Sequence, residues 1–102
     1  MKKIQKQVDQ WVNECTTGYF KPLEILARLI EETGELAREL NHTFGPKKKK
    51  ETEAEKQIGD EMADIIFTLA CLANSLEIDL DKSFKNVMDK CYGRDKNRYQ
   101  KK

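Results

Sequence analysis

Apolar residues recur along this chain at helical spacing, without the sustained apolar–polar alternation of a half-buried strand. Ile4, Val8, Trp11, Val12 and Cys15 form one stripe, which predicts a first helix over about residues 2–15, closed by Thr16-Thr17-Gly18. Tyr19-Phe20-Lys21-Pro22 reads as a connector, and Pro22 suits the first turn of the next helix, where its missing N–H does no harm. The second helix is predicted to run to about Asn41, with Ile25, Leu26, Leu29, Ile30, Ala37 and Leu40 on its buried side. Gly34 lies inside it at a cost of about 0.5–1 kcal/mol relative to Ala, which implies close approach of a neighbouring helix or a ligand. Phe44-Gly45-Pro46 stops that helix. A third is predicted over about 53–76. A fourth follows Asp79, a good N-cap residue, with Leu80, Phe84, Val87, Met88 and Cys91 as apolar positions and Gly93 at its end or at a kink.

The chain has 102 residues, which implies one domain over 1–102 with a polar, basic tail from about 94. A core of that size is modest, so subunit association would add useful burial. Only five glycines and two prolines are present, which supports an all-α fold. Charged residues make up 36% but nearly balance at a net charge of +1, so any steering of a charged ligand has to come from local patches. Cys15, Cys71 and Cys91 form no CxxC pair and occupy apolar helical positions, the pattern of buried reduced thiols in a reducing cytoplasm. The basic N-terminus is not followed by the apolar run of a signal peptide. No stretch reaches the roughly 18–20 apolar residues a membrane span needs. A soluble, cytoplasmic protein is expected.

The segment from Gln57 to Asp81 departs from the ordinary pattern. It is strongly apolar, yet carries Asp60, Glu61 and Asp64 with no Lys or Arg. Glu61 and Asp64 are three apart and share a helical face with Ile65, Thr68 and Leu72. Glu32 and Glu35 repeat the arrangement on the second helix, on a stripe with Ile25, Leu29 and Leu36, with Glu31 flanking. An antiparallel pairing of the two helices would set the pairs face to face. Inward-facing carboxylates are costly unless some are protonated or a cation sits among them. Oxygen-only ligands suit Mg²⁺ or Mn²⁺ better than zinc. Surface acids in a highly charged chain are the simpler reading of any single ExxE; two such pairs inside apolar stripes are more specific.

The distribution of basic residues supplies a counterpart. Residues 57–81 hold six acids and no base, whereas Lys82–Lys102 holds eight bases and two acids. An acidic cup beside a cationic wall suits a polyphosphate. Lys85, Lys90 and Arg94 are the candidate phosphate contacts, against the plainer role of lysines that favour a helix C-terminus. Lys47–Lys50 has no interleaved aromatic residue and reads as a solvated turn.

Glu31-Glu32-Thr33-Gly34-Glu35-Leu36-Ala37 followed by Asp60-Glu61-Met62-Ala63-Asp64 resembles the ExxE…ExxD signature of MazG-like nucleoside triphosphate pyrophosphohydrolases. Leu72-Ala73-Asn74-Ser75-Leu76-Glu77-Ile78-Asp79-Leu80 resembles that family's continuation, and the likeness covers roughly residues 20–99. The resemblance implies a four-helix bundle completed by association into homodimers or homotetramers. It implies Mg²⁺-dependent hydrolysis of NTPs or dNTPs between the α- and β-phosphates, giving a nucleoside monophosphate and pyrophosphate, a reaction suited to clearing non-canonical nucleotides. By position, Glu32, Glu35, Glu61 and Asp64 match the metal ligands, and Glu31 the acid that orients or deprotonates the attacking water. Asp60 stands where many relatives have Glu. The ending KCYGRDKNRYQKK is looser than the compact basic ending of many members, and the Lys-rich connector is this chain's own feature. Base recognition could use Trp11, Tyr19 or Phe20, although Trp11 lies on the apolar stripe, where core packing is its expected role.

Three other readings compete. Glu39-x-x-His42 is half of a di-iron carboxylate motif, but His42 is the only histidine, and an exposed histidine at a helix end explains it more simply. A helical dimerisation or adaptor module would bear the acids for specificity alone and bind no metal. Nucleic-acid binding through the basic tail lacks a recognised motif and would show steep salt dependence.

Overall fold

In a computed structural model the chain forms four α-helices; residues 1–46 and 51–94 are described, 51–56 as helical backbone only. α1 spans Lys2–Asn13, α2 Pro22–Phe44, α3 Glu51–Ser75 and α4 Leu80–Tyr92. The all-α expectation holds, and no strand occurs among the described residues. The Lys47–Lys50 connector and the tail beyond Arg94 lie outside them. None of the described helices is long and apolar enough to cross a membrane.

Local signals account for the boundaries. α1 ends short of Cys15 because Glu14 and Cys15 N–H turn to the carbonyls three residues back, at 3.1 and 2.9 Å, which tightens the last turn. Pro22 opens α2, and the Glu24 carboxylate reaches back to the Lys21 N–H at 2.9 Å. α2 continues beyond Asn41 to Phe44, where Gly45 N–H closes on Asn41 O at 2.7 Å before Pro46 stops it. Asp79 caps α4 by accepting from the N–H of Asp81 and Lys82 at 3.0 and 3.3 Å.

α3 is the central helix, with α2 and α1 packed on it. Both run antiparallel to α3. Glu32 meets Asp64, while Ile25, two turns earlier, shares a wall with Thr68 and Cys71. Gln5 hydrogen-bonds Asn74, and Trp11 meets Phe67. The core is thin: Val8, Val12 and Ala70 are buried together, with Tyr19 and Cys71 against them.

The buried face of α2 differs from the expected one. Ile25, Glu32 and Glu39 are buried, with Leu29 and Leu36 half-buried beside them. Leu26, Ile30, Ala37 and Leu40 are exposed instead. At about 100° per residue, Ile25, Glu32 and Glu39 stay in line while Leu26, Ile30 and Ala37 fall well to one side. Glu32 and Glu39 therefore occupy the packing face, whereas Glu31 and Glu35 are exposed, and part of the apolar stripe faces outward. Gly34 keeps only one of its two expected reasons: among the described residues nothing outside its own helix lies within 4 Å of where a Cβ would stand, so no described neighbouring helix approaches it and close approach of a ligand is the alternative left. Cys91 is exposed, and Cys15 and Cys71 are only half-buried, all three as free thiols.

α4 has no buried residue and docks through its first turn. The Met1 ammonium and the Lys2 N–H both meet the Asp81 carboxylate at 2.9 Å, and Leu80 N–H donates to Gln5 Oε1 at 2.9 Å. Gln5 Nε2 in turn donates to Asn74 Oδ1 and to the Ile78 carbonyl, at 3.0 and 2.8 Å.

Candidate active site

The α2–α3 packing face gathers carboxylates from both helices. One carboxylate oxygen from each of Glu32, Glu61 and Asp64 lies within 4.8 Å of the others. Two oxygens bound at about 2.1 Å to one Mg²⁺ are at most about 4.2 Å apart, so these acids already approach the span of a shared hard cation. Glu35 joins through Glu61. The Glu61 carboxyl is held above the usual carboxylate range by burial, by the charge of Glu35 and a hydrogen bond with it, and by the charges of Asp64 and Glu32.

Two oxygens strengthen the fit. Glu32 Oε2 and Glu61 Oε2 are shielded from solvent and have no hydrogen-bond partner. Desolvated carboxylate oxygens left this way are costly, and a divalent ion among them removes the cost. A donor set made only of carboxylates, drawn from two helices, suits Mg²⁺ or Mn²⁺. No second group of three such ligands occurs among the described residues, so Glu39 and His42 form no metal centre there. His42 is half-buried, with Nδ1 shielded and unpartnered, rather than exposed.

Beside the acids lies a cavity of about 360 Å³. Trp11, Tyr19, Phe20 and Phe67 supply its aromatic walls, and Glu32 and Asp64 are also part of its lining. Its volume falls in the range of small-molecule sites. Trp11 is 56% exposed rather than a core residue, because it sits at the edge of the α1 stripe, outside Val8 and Val12. It meets Phe67 edge to face, with ring centroids 5.8 Å apart and planes at 73°.

Arg28 also lines this cavity and donates from Nε to Glu32 Oε1 at 2.9 Å. It falls outside the acidic pattern, and only its place four residues before Glu32 marks it in the sequence. The Asp9–Tyr19–Asn74 hydrogen bonds that hold one cavity wall are likewise invisible to periodicity.

The remaining predicted residues are not gathered here within one chain. Glu31 is exposed on α2, next to Glu32. Lys85 is exposed and paired with Asp89 at 2.7 Å, while Lys90 and Arg94 stand exposed at the far end of α4. The described polar contacts that dock α4 lie at the opposite end of that helix, on α1.

Residues 20–99 match the family model of the MazG nucleotide pyrophosphohydrolase domain. An uncharacterised Bacillus subtilis protein, YpjD, is 50% identical over 102 residues, covering 100% of this chain and 92% of its own length. A crystal structure of YpjD superposes with a TM-score of 0.80 at 50% identity, covering 87% of this chain and 91% of that one. A crystal structure of a Bacillus-conserved MazG protein, a nucleotide pyrophosphohydrolase, superposes with a TM-score of 0.76 at 45% identity. That comparison covers 87% of this chain and 85% of the other.

Proposed function

This chain belongs to the MazG nucleotide pyrophosphohydrolase family, and from that membership we propose its substrate, its metal and the residues that serve them. It is a hydrolase of pyrophosphate bonds. The substrate is a nucleoside or deoxynucleoside triphosphate, cut between the α- and β-phosphates to a monophosphate and pyrophosphate. The metal is Mg²⁺, with Mn²⁺ as a substitute. One observation carries this reading: three carboxylates converge within 4.8 Å, two of them with shielded, partnerless oxygens, beside an aromatic cavity.

Glu32, Glu35, Glu61 and Asp64 hold the ion. When bound, the ion would offset part of the charge of these acids, polarise phosphate oxygens and make a water nucleophilic near neutral pH. Phosphoanhydride cleavage otherwise needs mainly positioning and charge stabilisation. Glu31, beside Glu32 and open to solvent, orients the water and accepts its proton. Trp11, Tyr19 and Phe20 offer aromatic surface on which a base can stack.

Lys85, Lys90 and Arg94 contact phosphates from a second copy of the chain, since α4 docks on α1 and not on the acids. Homodimer or homotetramer formation is supported by the outward Leu23, Leu26 and Ile30 of α2 and Phe84, Val87 and Tyr92 of α4. The enzyme works in the cytoplasm as a single domain, clearing non-canonical nucleotides.

A panel of canonical and modified NTPs and dNTPs with Mg²⁺, scored for pyrophosphate release, tests the activity and its base preference. Glu32→Gln and Asp64→Asn are expected to abolish turnover while helix content is kept. They should also remove the thermal stabilisation that millimolar Mg²⁺ gives the unaltered protein. Full turnover in either variant would overturn the ligand set.

A further inference from the structure

We propose that Arg28 is a phosphate-binding residue of this site, held in place by Glu32 until a divalent ion and the substrate arrive. The inference rests on the triphosphate reading above and adds to it a residue outside the acidic signature.

The Arg28–Glu32 pair is lopsided. The Arg28 side chain is 67% exposed and that of Glu32 only 7%. An exposed cation thus stands over a buried anion, and both line the same cavity as Asp64 and Trp11. Arg28 is the only basic residue among those that line it. Glu32 and Asp64 line the cavity with Glu61 and Glu35 beside them, and one divalent ion would still leave this group of four acids with a net negative charge. A phosphate chain entering beside them needs a further positive charge at the cavity. Within the chain, Lys85 is engaged by Asp89, and α4 docks away from the acids.

The geometry lets one guanidinium serve both partners. Arg28 holds Glu32 Oε1 through Nε, so the two Nη groups lie outside that bond. Guanidinium presents its donors in a planar fork suited to phosphate oxygens. The other Glu32 oxygen, Oε2, is shielded and unpartnered, so an ion can approach Glu32 from the side that Arg28 does not occupy. As an ion takes up the charge of Glu32, the hold on Arg28 weakens and its fork turns to the phosphates. Before that, the same contact offsets part of the cost of a buried carboxylate.

Calorimetric titration with Mg²⁺, and then with inorganic tripolyphosphate in saturating Mg²⁺, tests this without turnover. In Arg28→Ala, Mg²⁺ affinity is expected to be unchanged or higher, because a competing cation is gone. Tripolyphosphate affinity is expected to fall by about ten- to hundredfold, the scale of a charge-assisted hydrogen bond. Affinity for a bare nucleoside should not change. Arg28→Gln, which keeps the stem and the helix, serves if the alanine variant is poorly folded. In hydrolysis, the same substitution should raise KM more than it lowers kcat.

Tripolyphosphate binding as tight as in the unaltered protein would overturn the proposal. So would joint loss of Mg²⁺ and tripolyphosphate binding, which would make Arg28 only a support for Glu32. If the unaltered protein releases pyrophosphate from triphosphates but Arg28→Ala leaves tripolyphosphate affinity intact, the inference fails and the function stands. If the unaltered protein neither binds tripolyphosphate nor turns over any triphosphate, both fall.

Discussion

Asn74 on α3 donates from Nδ2 to the Tyr19 hydroxyl at 3.0 Å, and that hydroxyl donates onward to Asp9 Oδ1 at 2.6 Å. Asn74 also donates to the Gln5 carbonyl at 2.9 Å. One hydroxyl therefore ties α1, the α1–α2 connector and α3 together behind the cavity wall that Tyr19 forms. Tyr19→Phe leaves Asp9 and Asn74 each short of a partner, and is expected to cost about 1–3 kcal/mol. Urea unfolding at neutral pH measures it, and an unchanged midpoint would show that water replaces the hydroxyl at no cost.

The same contact sets an alkaline limit. Burial, then the hydrogen bond and negative charge of Asp9, push the Tyr19 hydroxyl from 10.0 up to about 12. The folded chain thus keeps a proton that the unfolded chain loses. Stability from this source is complete below pH 10 and is lost as pH rises toward about 12. Tyr19→Phe, compared with the unaltered protein across that window, should show a shallower loss.

Glu61 gives the opposite end of the pH range. Its carboxyl in the folded chain titrates above the ordinary 4.5, so the folded chain binds the proton more tightly than the unfolded chain. In chelator, stability should fall as pH rises from near 4.5 through the raised value, and then level off. Saturating Mg²⁺ should shrink that fall, because the ion takes the place of the proton. Thermal melts of Glu61→Gln in chelator should lose the slope and lie above the unaltered protein at neutral pH. A variant that melts lower would mean that the cluster is not repulsive without metal.

Much of the fold was legible in the periodicity. The four helices and the caps at Pro22 and Asp79 follow from local rules that act within a few residues. The pairing of Glu32 with Glu61 and Asp64 was legible too, because spacings of three placed each acid pair on one face and antiparallel packing does the rest. Which half of the α2 stripe packs was not legible. Leu26 and Ile30 are as apolar as Ile25, and only the position of α3 decides that the line through the glutamates is covered. Trp11 escaped for the same reason, since an edge position becomes core or cavity wall according to what lies opposite. Arg28 and the Asp9–Tyr19–Asn74 bonds depend on side chains meeting across elements, which no one-dimensional pattern records.

Gly34 stands on an exposed helical face, and among the described residues no atom beyond its own stretch of helix lies within 4 Å of the position a methyl side chain would take. Gly34→Ala is expected to stabilise the helix by about 0.5–1 kcal/mol, mostly by restricting the unfolded chain. A raised Tm with unchanged turnover would mark the glycine as dispensable. A raised Tm with lost turnover would put substrate against α2 at that point.

The turn after α3 holds the last prediction. Ile78 N–H bonds to Ala73 O at 2.8 Å and Glu77 N–H to Asn74 O at 3.1 Å, the paired bonds of a Schellman helix end. Glu77 occupies its left-handed position at φ 57°, where glycine is preferred. A side chain there crowds the backbone at a cost of about 1–2 kcal/mol, part of which glycine would return as entropy in the unfolded chain. Glu77→Gly is therefore expected to raise stability by about 0.5–1 kcal/mol. Because Glu77 lies on the α3–α4 turn, away from Glu32, Glu61 and Asp64, Mg²⁺ binding should not move. Denaturant midpoints with and without Mg²⁺ separate the two effects: a parallel upward shift supports local strain at Glu77, and a lower midpoint would show that its side chain holds the turn through contacts worth more than that strain.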